Sequence, residues 1–202
     1  MTTLSLAPIP GDLQWKNDPV DWTIGPDDSL SITAGANTNW FIDPAGSERV
    51  ASNGPAAVFA PPVGDFLLSA RVTVNFGATF DAGVLLLYER DDLWTKLCFE
   101  YSPQHEPMIV SVVTRGFSDD CNSVVIDGSS VYMRVARIGS AFALHYSLDG
   151  KYWNMVRYFT MGAVDNLRIG FLAQSPTGES CTVVFSEIAY RAESLKDLRS
   201  GD

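Results

Sequence analysis

From Phe66 to Tyr190 apolar and polar residues alternate in short runs, and clusters of Gly, Pro, Asp and Asn separate the runs. Period-two alternation punctuated by turn formers predicts antiparallel strands with tight connections. The runs lie at 66–76, 82–90, 94–101, 108–115, 131–138, 141–148, 152–159, 167–174 and 181–190. Helical periodicity is confined to Glu193 to Arg199, so the pattern predicts an all-β sandwich or barrel. Residues 1–62 are richer in Pro and Gly. They carry Trp15, Trp22 and Trp40 between short strand-like pieces such as Ser29–Thr33 and Ala57–Phe59. They read as edge strands and long loops folding back over the sandwich. No linker-like tract follows them, so residues 1–192 are expected to form one domain, with 193–202 as a short tail.

Every second residue of a strand points to the same face. In 94–101 this assigns Leu97, Phe99 and Tyr101 to the core and Trp94, Lys96, Cys98 and Glu100 to the opposite face. In 109–115 Val110 and Val112 are expected in the core, with Ser111 and Arg115 beside Lys96. In 131–138 Val131, Met133 and Val135 go inward, leaving Tyr132, Arg134 and Ala136 outward. In 142–148 Phe142, Leu144, Tyr146 and Leu148 go inward, leaving Ala143, His145 and Ser147 outward. If these strands are sequential neighbours in one sheet, Lys96, Glu100, Ser111, Arg115, Arg134 and His145 form a single stripe flanked by Trp94 and Tyr132. Such a stripe combines hydrogen-bonding groups with aromatic faces, as sugar sites do. It also fits a sheet face that simply meets water, with charges paired across strands.

The segment 116–123 places Ser118, Asp119 and Asp120 in a loop after a strand. Its composition suits a cover over a bound ligand, a calcium site or a plain turn. Asp43 and Asp81 are further candidates for the rim of the stripe. A glycosidase needs two carboxylates across a groove, and only Glu100 lies clearly on the stripe. His105 and His145 have no second His at ligand spacing, so no zinc site or other cofactor is indicated.

The net charge of −10 repels phosphate backbones and argues against nucleic acid as a partner. The apolar fraction of 46% is that of a packed protein. No apolar run reaches signal-peptide or membrane-span length, so a cytoplasmic protein without membrane contact is expected. Cys98, Cys121 and Cys181 show no metal-like spacing and read as free thiols.

The pieces Asp81-Ala-Gly83, Leu93-Trp-Thr-Lys-Leu-Cys-Phe-Glu100, Ser111-Val-Val-Thr-Arg-Gly116, Ser118-Asp-Asp120, Val131-Tyr-Met-Arg134, Val156-Arg157 and Gln174-Ser-Pro176 together resemble a known family. It is the uncharacterised concanavalin A-like sandwich family that includes the fungal protein named for regulation of enolase. A related sandwich follows the catalytic domain of some β-xylosidases. The resemblance implies a two-sheet antiparallel β-sandwich, a concanavalin A-like jelly roll, whose concave face holds Lys96, Glu100 and Arg134. The family's Thr-Asp-Trp motif reads Thr38-Asn-Trp40 here, which weakens a catalytic role at Asn39. The expected function is non-catalytic binding of a carbohydrate-like small ligand. A protein-interaction or regulatory module is the alternative, followed by a glycoside hydrolase.

Overall fold

The computed structural model describes residues 3–47 and 50–202. The chain runs through β1 (Thr3–Leu4), β2 (Leu13–Lys16), β3 (Asp21–Ile24), β4 (Leu30–Gly35), β5 (Trp40–Ile42) and β6 (Val50–Ser52). It continues through β7 (Ala56–Phe59), β8 (Phe66–Val74), β9 (Ala82–Arg90), β10 (Leu93–Tyr101), β11 (Pro107–Arg115) and β12 (Phe117–Val125). It ends with β13 (Ser130–Ile138), β14 (Ala141–Ser147), β15 (Asn154–Phe159), β16 (Arg168–Gln174) and β17 (Ser180–Arg191). Among the described residues there is no helix, so none is long and apolar enough to cross a membrane. Residues 193–199, where the pattern predicts a helix, form irregular backbone and the start of a turn instead.

The strands form two antiparallel sheets packed face to face as a jelly-roll-like sandwich. One has eight strands in the order β1-β2-β7-β16-β9-β10-β11-β12, and the other has seven in the order β15-β14-β13-β8-β17-β4-β3. The hairpin β5-β6 stands apart and lies on the outer face of the first sheet. There Trp40 and Ile42 pack with Tyr88, Trp94 and Val112.

One apolar cluster fills the space between the sheets. The first sheet contributes Leu85, Leu87, Leu97, Phe99, Ile109 and Phe171, the second Leu68, Val72, Met133, Val135, Leu144 and Phe185. Gly83 faces this layer, and a Cβ there would come within 2.6 Å of Val72 and Val183 of the opposite sheet. The sheets can approach this closely only because position 83 carries no side chain.

Four expectations are corrected. First, residues 116–123 are not a loop: Gly116, at φ 79, turns the chain into strand β12, which pairs with β11 from Arg115↔Phe117 onward. β12 is the edge of its sheet, and an edge strand with solvent on several sides shows no apolar alternation to betray it. Second, β12 takes the place beside β11, so β13 and β14 belong to the other sheet and the single stripe does not exist. Third, the register Lys96↔Val112 and Leu97↔Ser111 puts Val110 and Val112 on the face of Lys96, and turns Ser111 and Arg115 to the inner side. The segment Met-Ile-Val-Ser-Val-Val is buried on both faces of its sheet, so parity could not be read from it. Fourth, Leu148, expected inside, is 71% exposed.

Candidate functional site

The outer face of the first sheet carries a row Gly170–Leu86–Lys96–Val112–Asp120 and, four residues along, a row Gln174–Ala82–Glu100–Met108. Strands β16, β9, β10, β11 and β12 thus bring Lys96, Glu100, Asp120 and Gln174 onto one patch. Its floor is the buried Cys98 and Val110. Trp94 bounds one end, with the Lys96 ammonium 5.8 Å from its ring centroid, a cation–π distance. Trp40 stands edge-on to Trp94 at 5.6 Å and fixes that ring. Its own Nε1 donates to the Gly54 carbonyl at 2.9 Å.

Lys96 is only 2% exposed, yet its ammonium is held by a neutral group. Nζ donates to Oε1 of Gln174 at 3.0 Å. Gln174 is turned that way by its amide, which donates to the Phe80 carbonyl at 3.0 Å. None of the ion pairs among the described residues involves Lys96, Glu100 or Asp120. Burial pushes the Glu100 carboxyl up to about 7. Lys96 opposes that rise and Asp120 adds to it. Asp120 is raised for the same first reason, with Lys96 again opposing. A carboxyl balanced near neutrality can either donate or accept a hydrogen bond, so one ammonium, one amide and two carboxyls share one sheet face with mixed donor and acceptor capacity.

The predicted residues divide into three places. Trp94, Lys96, Glu100, Ser118 and Asp120 share this outer face. Ser118 is engaged in holding the hairpin: its Oγ accepts from the Ile42 amide at 2.9 Å and meets Thr114 Oγ1 at 2.9 Å. Ser111, Arg115 and Asp119 lie on the inner side, at the rim where the sheets meet. There Arg157 of β15 pairs with Asp119 at 2.8 Å and reaches Ser111 Oγ at 3.4 Å. Arg115 donates to the Thr160 carbonyl at 3.4 Å. Tyr132, Arg134 and His145 occupy the outer face of the second sheet, on the far side of the molecule. Of the supposed rim carboxylates, Asp81 is fully buried. It accepts from the amides of Gly77 and Ala78 and from Ser175 Oγ, and so pins two turns. Asp43 accepts from the Ala45 amide within its own turn. Among the described residues no group of His, Cys, Asp and Glu is placed to hold a metal ion.

Gln174 was not expected in the site. The alternation Gly170-Leu172-Gln174 carried the signal, but only the pairing of β16 with β9 places the side chain within reach of Lys96.

Comparison with solved structures agrees with the fold. A functionally unknown protein from Saccharomyces cerevisiae superposes with a TM-score of 0.79 at 20% identity, covering 90% of this chain and 96% of that one. A GH43 protein, BlXynB of Bacillus licheniformis (K247S mutant), gives 0.71 at 14% identity, covering 90% of this chain and 37% of that one. A xylan β-1,4-xylosidase from Bacillus halodurans gives 0.64 at 12% identity, covering 88% and 36%. The chain therefore spans only about a third of each of these glycoside hydrolases, and at such identities the likeness concerns the fold alone. No curated protein matches it in sequence. The model of the family described as "Protein of unknown function (DUF1349)" matches residues 15–193, and the chain belongs to that family.

Proposed function

We propose that the outer face of the first sheet binds a small, neutral, hydroxyl-rich ligand of carbohydrate type and does not transform it. The observation that carries this reading is the buried Lys96 ammonium. It is held by Gln174 and set over Trp94, with Glu100 and Asp120 on the same sheet face. Sugar hydroxyls act as donors and acceptors at once, and such a mixed set matches them. Trp94 is fully buried under Trp40, so it serves the site by holding the Lys96 ammonium and not by stacking on the ligand. Two carboxyls against one ammonium disfavour phosphorylated ligands by like-charge repulsion. The sandwich of the xylosidases supports the reading by analogy of fold only.

Calorimetric titration of the whole chain with neutral pentose and hexose oligosaccharides tests it. Saturable binding is expected, weakened roughly tenfold or more by Lys96→Met and by Glu100→Gln, since each removes a charged-group hydrogen bond. The recovered sugars should be intact. No saturable binding for any sugar, or binding indifferent to both substitutions, overturns the proposal. Cleavage abolished by Glu100→Gln replaces it with a hydrolase.

A further inference from the structure

The outer face of the second sheet holds two buried titratable groups far from the site described above. Arg134 on β13 is 2% exposed and His145 on β14 is fully buried. Residues 195–202 cover them. Arg134 Nη2 donates to the Gly201 carbonyl at 2.6 Å, and His145 Nε2 lies 2.8 Å from the Leu198 carbonyl. The guanidinium stacks on Trp153 at 4.1 Å. Leu195 and Leu198 pack on Leu67, Ala136 and Ala143.

We propose that this face is a peptide-recognition surface whose resident ligand is the segment 195–202, and that it takes the same segment from a second copy of the chain when its own is released. The recognition is of peptide type. The polar bonds go to main-chain carbonyls, and specificity rests on apolar positions three apart and on a glycine three further on, in the pattern Leu195-x-x-Leu198-x-x-Gly201. Gly201 is required on two grounds. Its φ of 73 favours glycine, and a Cβ there would meet Arg134 Nη2 at 1.9 Å and Trp153 at 2.8 Å. Such steric selection distinguishes a binding site from a sticky surface.

The segment also brings its own structure. Asp197 Oδ1 accepts from the amides of Arg199 and Ser200 at 2.8 Å, and the Gly201 amide donates to the Asp197 carbonyl at 2.9 Å. The amides of Lys196 and Asp197 both donate to the Asp202 main-chain oxygen. Internal bonds of this kind reduce the entropy the segment loses on docking. Its connection to β17 is short and makes no strand pairing: Ala192, Glu193 and Ser194 are exposed and outside the ladder. Docking is also incompletely rewarded, because Arg134 Nε and His145 Nδ1 are buried without a partner. Release hydrates both, which lowers the free-energy gap between docked and undocked states. Every copy carries both surface and segment, so exchange between copies needs no other protein.

The test uses the full chain bearing Leu198→Asp, which expels the segment, and a synthetic peptide of residues 192–202, unaltered or with Gly201→Val. NMR of the His145 ring and the Trp153 indole is the readout. Saturable shifts are expected with the unaltered peptide, together with at least roughly tenfold weaker binding of the altered one. Should the Leu198→Asp chain fail to fold, a Gly201→Val chain serves in the same experiment. No shift with the unaltered peptide in a folded variant, or equal binding of both peptides, overturns the proposal. For the second copy, Leu198→Asp chain is mixed with Trp153→Ala chain and sedimented. A 1:1 pair formed only in the mixture supports exchange, and monomers throughout overturn it.

Discussion

Lys96 on β10 reaches over β9 to donate to Oε1 of Gln174 on β16 at 3.0 Å. The ammonium is thereby committed to an amide, although Glu100 stands four residues further along the same strand face. Glu100 is consequently stabilised by Lys96 only through space, and burial outweighs that attraction. The polarity of the site is thus left open toward whatever enters it.

A pH-dependent stability follows. Glu100 has an ordinary value of 4.5 and is pushed to about 7 in the fold. Between these values the native state binds more protons than the unfolded one, so stability falls as pH rises through the window. Glutamine resembles the protonated acid and lacks the penalty. Glu100→Gln should therefore match wild type at pH 4 and exceed it at pH 8 by on the order of 1–2 kcal/mol, a figure discounted for the partial exposure of Glu100. At about 2–4 °C per kcal/mol for a chain of this size, melting curves at the two pH values resolve the difference. An equal shift at both would show that Glu100 does not titrate as its surroundings demand.

The tail should loosen in acid. Burial, and next to it the Arg134 charge, hold His145 at about 4 against an ordinary 6.5, while the Leu198 carbonyl opposes the fall. Arg134 itself is lowered to about 10 by burial and by Arg191, with Asp202 opposing. The undocked imidazole binds a proton that the docked one refuses. Docking is therefore complete above pH 6.5 and is lost as pH falls toward 4. Hydrogen-exchange protection of the Gly201 amide should fall between pH 6.5 and 4.5 in wild type. It should stay flat in His145→Gln.

The fold was legible because apolar and other residues alternate along strands such as β13: Val131, Met133 and Val135 are inside, as read. The site was legible in half. Trp94, Lys96 and Glu100 share a strand, and parity alone groups them. Arg134 and His145 were assigned to the same stripe because β12, a polar edge strand, looks like a loop, and one unseen strand shifts every later strand to a different neighbour. Parity on β11 failed for another reason: Trp40 and its hairpin cover part of the outer face of the first sheet, where Val110 and Val112 pack in the same cluster and are as apolar as the true interior positions. Contacts made by residues distant in sequence, such as Trp40 on Trp94 or Gln174 on Lys96, leave no local trace.

Trp40 is the apolar anchor of the hairpin β5-β6. Trp40 is fully buried, packs edge-on against both Tyr88 and Trp94, and is bonded to Gly54. Trp40→Ala should cost about 3–5 kcal/mol in urea unfolding, the usual range for a buried aromatic deletion. It should also raise the accessibility of Lys96 to acetylating reagents. Trp40→Phe keeps the ring contact and loses the Nε1 bond, and it should cost less.

Thiol reactivity gives a direct check on the layering. Cys98 lies beneath the Lys96 patch and Cys181 on β17 between the sheets, both buried, whereas Cys121 on the edge strand is exposed. Burial pushes the Cys98 thiol up and carries Cys181 to about 12, so neither supplies thiolate at neutral pH, and thiolate is the reactive form. A disulfide-exchange reagent added to the native chain should modify Cys121 within minutes and leave the other two untouched. Adding denaturant should then release both. If Cys98 reacts early in the native state, β10 is not covered as described. A Lys96→Met chain offers the control, since it removes the charge that favours the Cys98 thiolate without opening the sheet.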